Sequence, residues 1–258
     1  MKYITIFLKD RICRHFLKGK IDRIAILTKD TRVFGVDTVF IRNGYEFGKD
    51  DFNIRYEKKD TINIAAAAAF DWWHGYERLV YGLAEYYKKG GTVPFIIHFA
   101  GNGPELSYYR KIVKKTGMEK HVRFYGMRDK NFLKGLYADC EFGCCSLGVY
   151  KKGLRFSCEL KSREYLAAGL PMLASCRLDI DSDRKLARYI VRFPNDGTWI
   201  DFQKIADAHA NLYKNKSQDE IITMRRSIKN RAAELLHMGR AMEYAVEYIN
   251  AACQEGIV

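Results

Sequence analysis

Residues 160–175, LKSREYLAAGLPMLAS, set two cations and a carboxylate at the entrance of a short helix that ends at Gly169, with Pro171 and an apolar strand after it. The first turn of a helix carries N–H groups with no intrahelical partner, and the dipole favours anions there. Lys161 and Arg163 at that point suit a diphosphate. Glu164, expected in the first turn, suits a pair of ribose hydroxyls. The same segment also reads as a capped amphipathic helix with its charges in solvent. In HFAGNGPE, Gly101 and Gly103 join a strand to a helix, with Pro104 at the expected first helical position. Glycines there let the backbone approach a ligand closely, or serve only a tight turn. No third glycine completes a dinucleotide fingerprint. FDWWHGYER puts two Trp, His74 and Gly75 between a strand and a helix. His74 can donate to a phosphate or a sugar hydroxyl, and Gly75 permits close approach. Arg78, one turn into the helix, can reach the same anion or pair with surface acids. His98 and His121 read as structural.

The elements that must hold these residues alternate from Thr61 onward. INIAAAAAF, FIIHFAGNG, HVRFYG, EFGCCSLGV and PMLAS read as strands, and the segments between them as helices. The alanine run at 65–69 suits a strand packed tightly between helices. Alternating units of this length specify an α/β fold, a Rossmann-like parallel sheet with helices on both faces. Ligands of such open sheets bind beyond the carboxyl ends of the strands. WHG, GNG, Gly126 and the segment before Glu164 all fall on that edge. Ahead of this pattern, residues 1–20 read as a basic amphipathic helix, 22–28 as a short strand, 36–44 as another apolar run ended by the turn Asn43-Gly44, and GYEFGKDDFNIRYEKKD as a linker.

The chain has 258 residues, 48% of them apolar and 14% aromatic, enough for a full core. Its 44 Lys and Arg against 31 Asp and Glu give a net charge of +13, spread along the chain. Such a charge favours anionic partners without choosing among phosphorylated small molecules, acidic membranes and nucleic acid. No RNA-binding aromatic motif or helix-turn-helix pattern points to nucleic acid. Seven cysteines form no paired metal pattern and read as free thiols of a reducing cytosol, mostly small core hydrophobes. The N-terminus lacks the features of a secretory signal. The expected location is cytoplasmic, with peripheral attachment to the inner face of the membrane through the basic N-terminal helix.

GNGPE, VRFYG, YADC before a small-residue strand, and EYLAAGLPMLAS occur in the order found in retaining nucleotide-sugar glycosyltransferases. The chain resembles family 4 of the GT-B class from about residue 43 to residue 175. WHGYER and KKGL…LKSREYLAAGLP look like a bacterial branch of that family active in polysaccharide assembly. The resemblance implies a nucleoside-diphosphate sugar as substrate, a glycan or lipid-linked acceptor, and hexosyl transfer without a metal or other cofactor. It implies that Glu164 binds the ribose hydroxyls and that Gly101 and Gly103 approach the base and ribose. His74 stands where much of the family has a phosphate-binding Lys, and Lys161 or another cation compensates. The family's second acid, eight residues before Glu164, is replaced here by Phe156, so Glu159 or the KKGLRF loop is the candidate substitute near the donor sugar.

By the same resemblance, residues 1–45 are the remnant of the first, acceptor-binding domain, and 46–258 form the nucleotide-sugar-binding domain with its C-terminal helices. The chain is then one half of a GT-B fold. Either it is a fragment, or a partner chain supplies the missing half. The alternative function is a non-catalytic nucleotide-sugar-binding or scaffold subunit.

Overall fold

The computed structural model describes residues 2–48, 52 and 54–254. Helix α1 (Lys2–Cys13) is followed by β1 (Ile24–Ile26), β2 (Arg32–Val33) and β3 (Val36–Phe40). These three strands form their own sheet in the order β1-β3-β2. The expected helix over residues 1–20 therefore stops as an α-helix at Cys13 and continues only as one 3-10 turn.

The main body runs β4 (Ile62–Ala67), α2 (Glu77–Lys88), β5 (Phe95–Ala100), α3 (Leu106–Thr116), β6 (Val122–Gly126), α4 (Lys130–Ala138) and β7 (Phe142–Cys144). It continues with β8 (Phe156–Ser157), α5 (Leu160–Ala167), β9 (Met172–Ala174), β10 (Arg177–Leu178), α6 (Arg184–Ala187) and β11 (Ile190–Arg192). Helices α7 (Phe202–His209), α8 (Gln218–Leu236), α9 (Met238–Ala241) and α10 (Glu243–Gln254) follow.

Six strands form one sheet in the order β11-β9-β7-β4-β5-β6, with every pairing parallel. In chain order that is 3-2-1-4-5-6, the doubly wound arrangement whose order reverses between β4 and β7. Right-handed crossovers then put α2 and α3 on one face and the crossover helices α4 and α5 on the other. α2 contacts α3, and α5 and α6 contact α8; α7, after the last strand, returns to pack against α2. The expected Rossmann-like α/β fold is present.

The alanine run works as its composition suggested. All six residues of β4 are buried, and Ala65 and Ala66 are wholly so. Small side chains in the central strand leave room for the aromatic layer of Phe70, Tyr76, Phe99 and Tyr109, whose rings meet at 5.7–6.2 Å. The described residues of the segment read as a linker include no helix, but they are more than a connection. Phe52 and Tyr56 are buried, one stacked on Tyr137 and the other tilted against Tyr213. Five of the seven cysteines are buried and all are free thiols.

The N-terminal strands are tied to the main body through α5. Arg163 is completely buried and grips Asp179 with two hydrogen bonds, of 2.8 and 2.5 Å. Its Nε donates to the carbonyl of Asn43 at 2.9 Å, and Phe156 meets Phe40 edge-on. Removing one partner of such a pair leaves an uncompensated charge in the interior. Arg163→Met should therefore lower stability by about 3–5 kcal/mol, and adding Asp179→Leu should recover most of the loss. Urea unfolding of the two variants checks this; equal midpoints for wild type and Arg163→Met would refute it.

Candidate functional site

At the point where strand order reverses, a cleft of about 290 Å³ opens beyond the carboxyl ends of β4 and β5. Residues 67–69 form its floor, Gly101 and Asn102 one wall, and His74, Lys161 and Glu164 another. Met127, Arg128 and Leu133 complete the lip. Of the residues singled out in the sequence, the fold brings His74, Gly101, Lys161 and Glu164 together here.

Glu164 lies in the second turn of α5 rather than the first, because the helix starts at Leu160. The Tyr137 hydroxyl donates to its Oε2 at 3.0 Å, and among the described residues no hydrogen bond to Oε1 is found. Burial and the adjacent carboxylate push the Tyr137 phenol upward, so it keeps its proton and remains a donor. One carboxylate oxygen is thus held in place and the other is available to a ligand hydroxyl.

Lys161 is nearly buried, with Nζ 3.0 Å from the Tyr76 hydroxyl, 3.3 Å from Ser146 Oγ and 3.8 Å from Glu159. Burial pushes its ammonium downward and Glu159 pulls it back up. Both the Asp71 N–H, at 2.9 Å, and the Asp71 carbonyl, at 3.2 Å, lie at His74 Nδ1; the shorter contact, with Nδ1 as acceptor, corresponds to the tautomer with its proton on Nε2. Burial, reinforced by Lys161, pushes this imidazole down to about 3. His74 is therefore a neutral hydrogen-bond donor at neutral pH.

Other expected site residues do different work. Arg163, paired with Asp179, lies in the interior, where guanidinium and carboxylate satisfy each other. Arg78 is also buried. Its guanidinium donates to the carbonyls of Leu147, Pro194 and Thr198, so it clamps loops rather than facing the cleft. Gly75 adopts φ +65°, and a Cβ there would meet Gly148 N at 2.5 Å. It allows two backbones to touch and does not border the cleft. Gly103 likewise sits against the Phe70 carbonyl, 2.4 Å from where its Cβ would lie. Gly101 does both jobs: it borders the cleft, and its missing Cβ would fall 1.9 Å from the Ala68 carbonyl. Pro104 lies in the turn before α3, which begins at Leu106.

Glu159 is not at the cleft. Its carboxylate accepts from Ser146 N and Oγ, at 2.8 Å from the latter, anchoring the end of β7. Phe156 packs on Phe40, so neither residue offers a carboxylate there.

Sequence reasoning missed Asn102, Arg128 and Tyr137. Asn102 stands between the two noted glycines, and Arg128 follows Gly126 at the same sheet edge; both positions were visible signals. Tyr137 reaches Glu164 across 27 residues and has no local signature. Among the described residues no group of three His, Cys, Asp or Glu side chains gathers as metal ligands.

No family model and no curated protein matches the sequence. Solved structures do match. A glycosyltransferase from Rickettsia africae ESF-5 superposes with a TM-score of 0.64 at 12% identity, over 92% of this chain and 66% of that one. Anabaena Alr3699/HepE in complex with UDP-glucose gives 0.65 at 12% identity, over 93% and 67%. The lipopolysaccharide outer core galactosyltransferase WaaB, in its apo form, gives 0.58 at 15%, over 83% and 56%. The chain thus has the α/β fold found in these glycosyltransferases, and it spans about half to two thirds of the length of the structures it matches.

Three neutral histidines, His74 buried and His98 and His209 half-buried, make stability depend on pH. His74 is pushed down to about 3, and His98 and His209 to about 4, in each case first by burial. In the unfolded chain each takes a proton near pH ~6.5. Below that value the unfolded state binds more protons, so stability rises with pH until about 6.5 and is lost as pH falls toward 4. Urea midpoints should drop steadily from about pH 7 to about pH 5, and His98→Gln should flatten the slope. A level profile would contradict the neutral assignment.

Proposed function

We propose that this chain is the nucleotide-sugar-binding half of a glycosyltransferase. The observation that carries the reading is the convergence of Glu164, Lys161 and His74 on one cleft at the strand-order reversal. In this reading the free Glu164 oxygen accepts from the ribose hydroxyls, while Gly101 admits the nucleoside against its backbone. Lys161 Nζ and His74 Nε2–H face the diphosphate, with Arg128 at the lip. Fixed donors and a cation aimed at a departing diphosphate stabilise the charge that develops there. The transfer is retaining and metal-independent, to a glycan or lipid-linked acceptor in polysaccharide assembly. Neighbours of the same fold have been crystallised with UDP and with UDP-glucose, which supports the choice of ligand.

A second reading, a non-catalytic nucleotide-sugar-binding subunit that works with a partner chain, is favoured by one specific feature. Phe156 stands where the resemblance expects a carboxylate, and Glu159 is committed to Ser146. Incubation with a bound sugar nucleotide separates the two. Hydrolysis or transfer supports the enzyme, and binding without turnover supports the subunit.

Calorimetric titration with UDP, GDP and ADP and their sugars should find one that binds. Glu164→Ala should weaken that binding by ~1–3 kcal/mol, the worth of a charged hydrogen bond. No binding by any of them at millimolar concentration would sink the proposal; equal affinity in the variant would remove Glu164 from the site.

Peripheral attachment to an anionic membrane is part of the same proposal. On α1, Ile4, Phe7, Leu8 and Ile12 are all more than half exposed beside Lys9 and Arg11. No helix among the described residues is long and apolar enough to cross a membrane. Co-sedimentation with vesicles rich in phosphatidylglycerol should therefore be salt-sensitive and should fall when Phe7 and Leu8 are changed to Ser. Equal recovery with neutral vesicles would refute it.

A further inference from the structure

A second concavity, of about 620 Å³, lies along the C-terminal half of α2 and the segment leading into α7. It shares no lining residue with the cleft that holds Glu164. Its most unusual member is Trp199, 53% exposed and stacked on Tyr81 with ring centroids 5.5 Å apart and planes 20° from parallel. One face of the indole is held against Tyr81, and the half left in water offers a flat apolar surface to a ligand in the concavity.

The platform is held rigidly. Gly82 lets α2 approach so closely that a Cβ there would fall 2.1 Å from the Ile200 carbonyl. The Ile200 N–H donates to the Arg78 carbonyl at 3.2 Å. The Arg78 side chain donates to the carbonyls of Thr198 at 2.6 Å and Pro194 at 2.9 Å. Thr198 in turn donates through N–H and hydroxyl to Asp196. Both backbone neighbours of Trp199 are therefore fixed. This explains a buried arginine that the nucleotide cleft does not use. A surface ordered before its ligand arrives loses less entropy on binding.

The surroundings of the ring select the ligand. Glu85, Asp201 and Gln203 line the groove; Asp201 Oδ1 caps α7, accepting from Gln203 N–H at 2.9 Å, and Gln203 Nε2 donates to Asp207, so Asp201 Oδ2 and Gln203 Oε1 are the atoms offered to a ligand, while Gly90 and Gly91 leave one end without side chains. Among the described residues the one cation bordering it, Lys89, pairs with Glu85 at 3.3 Å. That set repels phosphates and suits a neutral molecule with an apolar face and many hydroxyls. We propose that this groove binds a glycan chain, one sugar ring lying on Trp199 and its hydroxyls bonding to Glu85, Asp201 and Gln203. The site is independent of the nucleotide reading and would hold a carbohydrate remote from the reacting end.

Saturation-transfer NMR and calorimetry on the full chain, with maltohexaose and chitohexaose as probes, test this. At least one should bind at millimolar concentration, with contact to the Trp199 ring. Trp199→Ala should weaken it by at least about tenfold, as for loss of an aromatic anchor, with an unchanged circular dichroism spectrum. Gln203→Ala, at an exposed position, should give a smaller loss and serves if Trp199→Ala is unstable. Saturating UDP should leave the oligosaccharide in place. Three results would overturn the proposal: no binding by either probe, undiminished binding in both variants, or displacement by UDP. A lysine-rich peptide binding there in place of both sugars would do the same. Failure of UDP to bind, with oligosaccharide binding intact, would count against the nucleotide reading alone.

Discussion

The cleft exists because two neighbouring parallel strands, β4 and β7, send their chains away in opposite directions. β4 leads into α2 on one face of the sheet, whereas β7 leads toward α5 on the other. The loops that leave the two strands meet through Gly75 and Gly148, and the crevice opens beside that contact, beyond the ends of β4 and β5. That divergence sets the wall that faces the ends of β5 and β6. His74 comes from the β4–α2 connection, Gly101 from the end of β5, and Lys161 and Glu164 from the helix that follows β7. Cations and acids elsewhere on the chain are excluded by topology, whatever their local sequence.

The same constraint explains which parts could be read in advance. Strand and helix alternation, the buried alanine strand and the clustering of glycines at one sheet edge all depend on local pattern, and all were legible. The position of the reversal was not, because it depends on which strands pair. The two arginines make the same point more sharply. Arg163 and Arg78 each stand near a helix start, as a ligand-binding cation would. Their fates were decided by partners far along the chain: Asp179 for one, and the carbonyls of Pro194 and Thr198, up to 120 residues away, for the other. Charge and spacing alone cannot tell a cation that meets a ligand from one that closes a loop.

Glu159 and Lys161 illustrate a finer limit. Two residues apart at the start of α5, with their charged groups 3.8 Å apart, they differ in that only Lys161 borders the cleft. Ser146 touches both, accepting from Lys161 Nζ and donating to Glu159. The ammonium is therefore oriented by a short polar chain whose acid is itself fixed by backbone. The aromatic residues of the apparent linker were legible as aromatics but not as core. Phe52 and Tyr56 are buried because α4 and the segment after α7 present Tyr137 and Tyr213 to them.

The contact between Gly75 and Gly148 has a mechanical consequence. With no side chain on either residue, the loop after β4 and the loop after β7 meet backbone to backbone, and the Leu147 N–H donates to the His74 carbonyl at 2.7 Å. Arg78 adds a bond to the Leu147 carbonyl from the same side. The His74 wall and the end of β7 consequently move as one solid piece. On the opposite lip Met127 and Arg128 stand exposed. One side of the site is thus pinned by backbone touching backbone, and the other is made of side chains open to solvent.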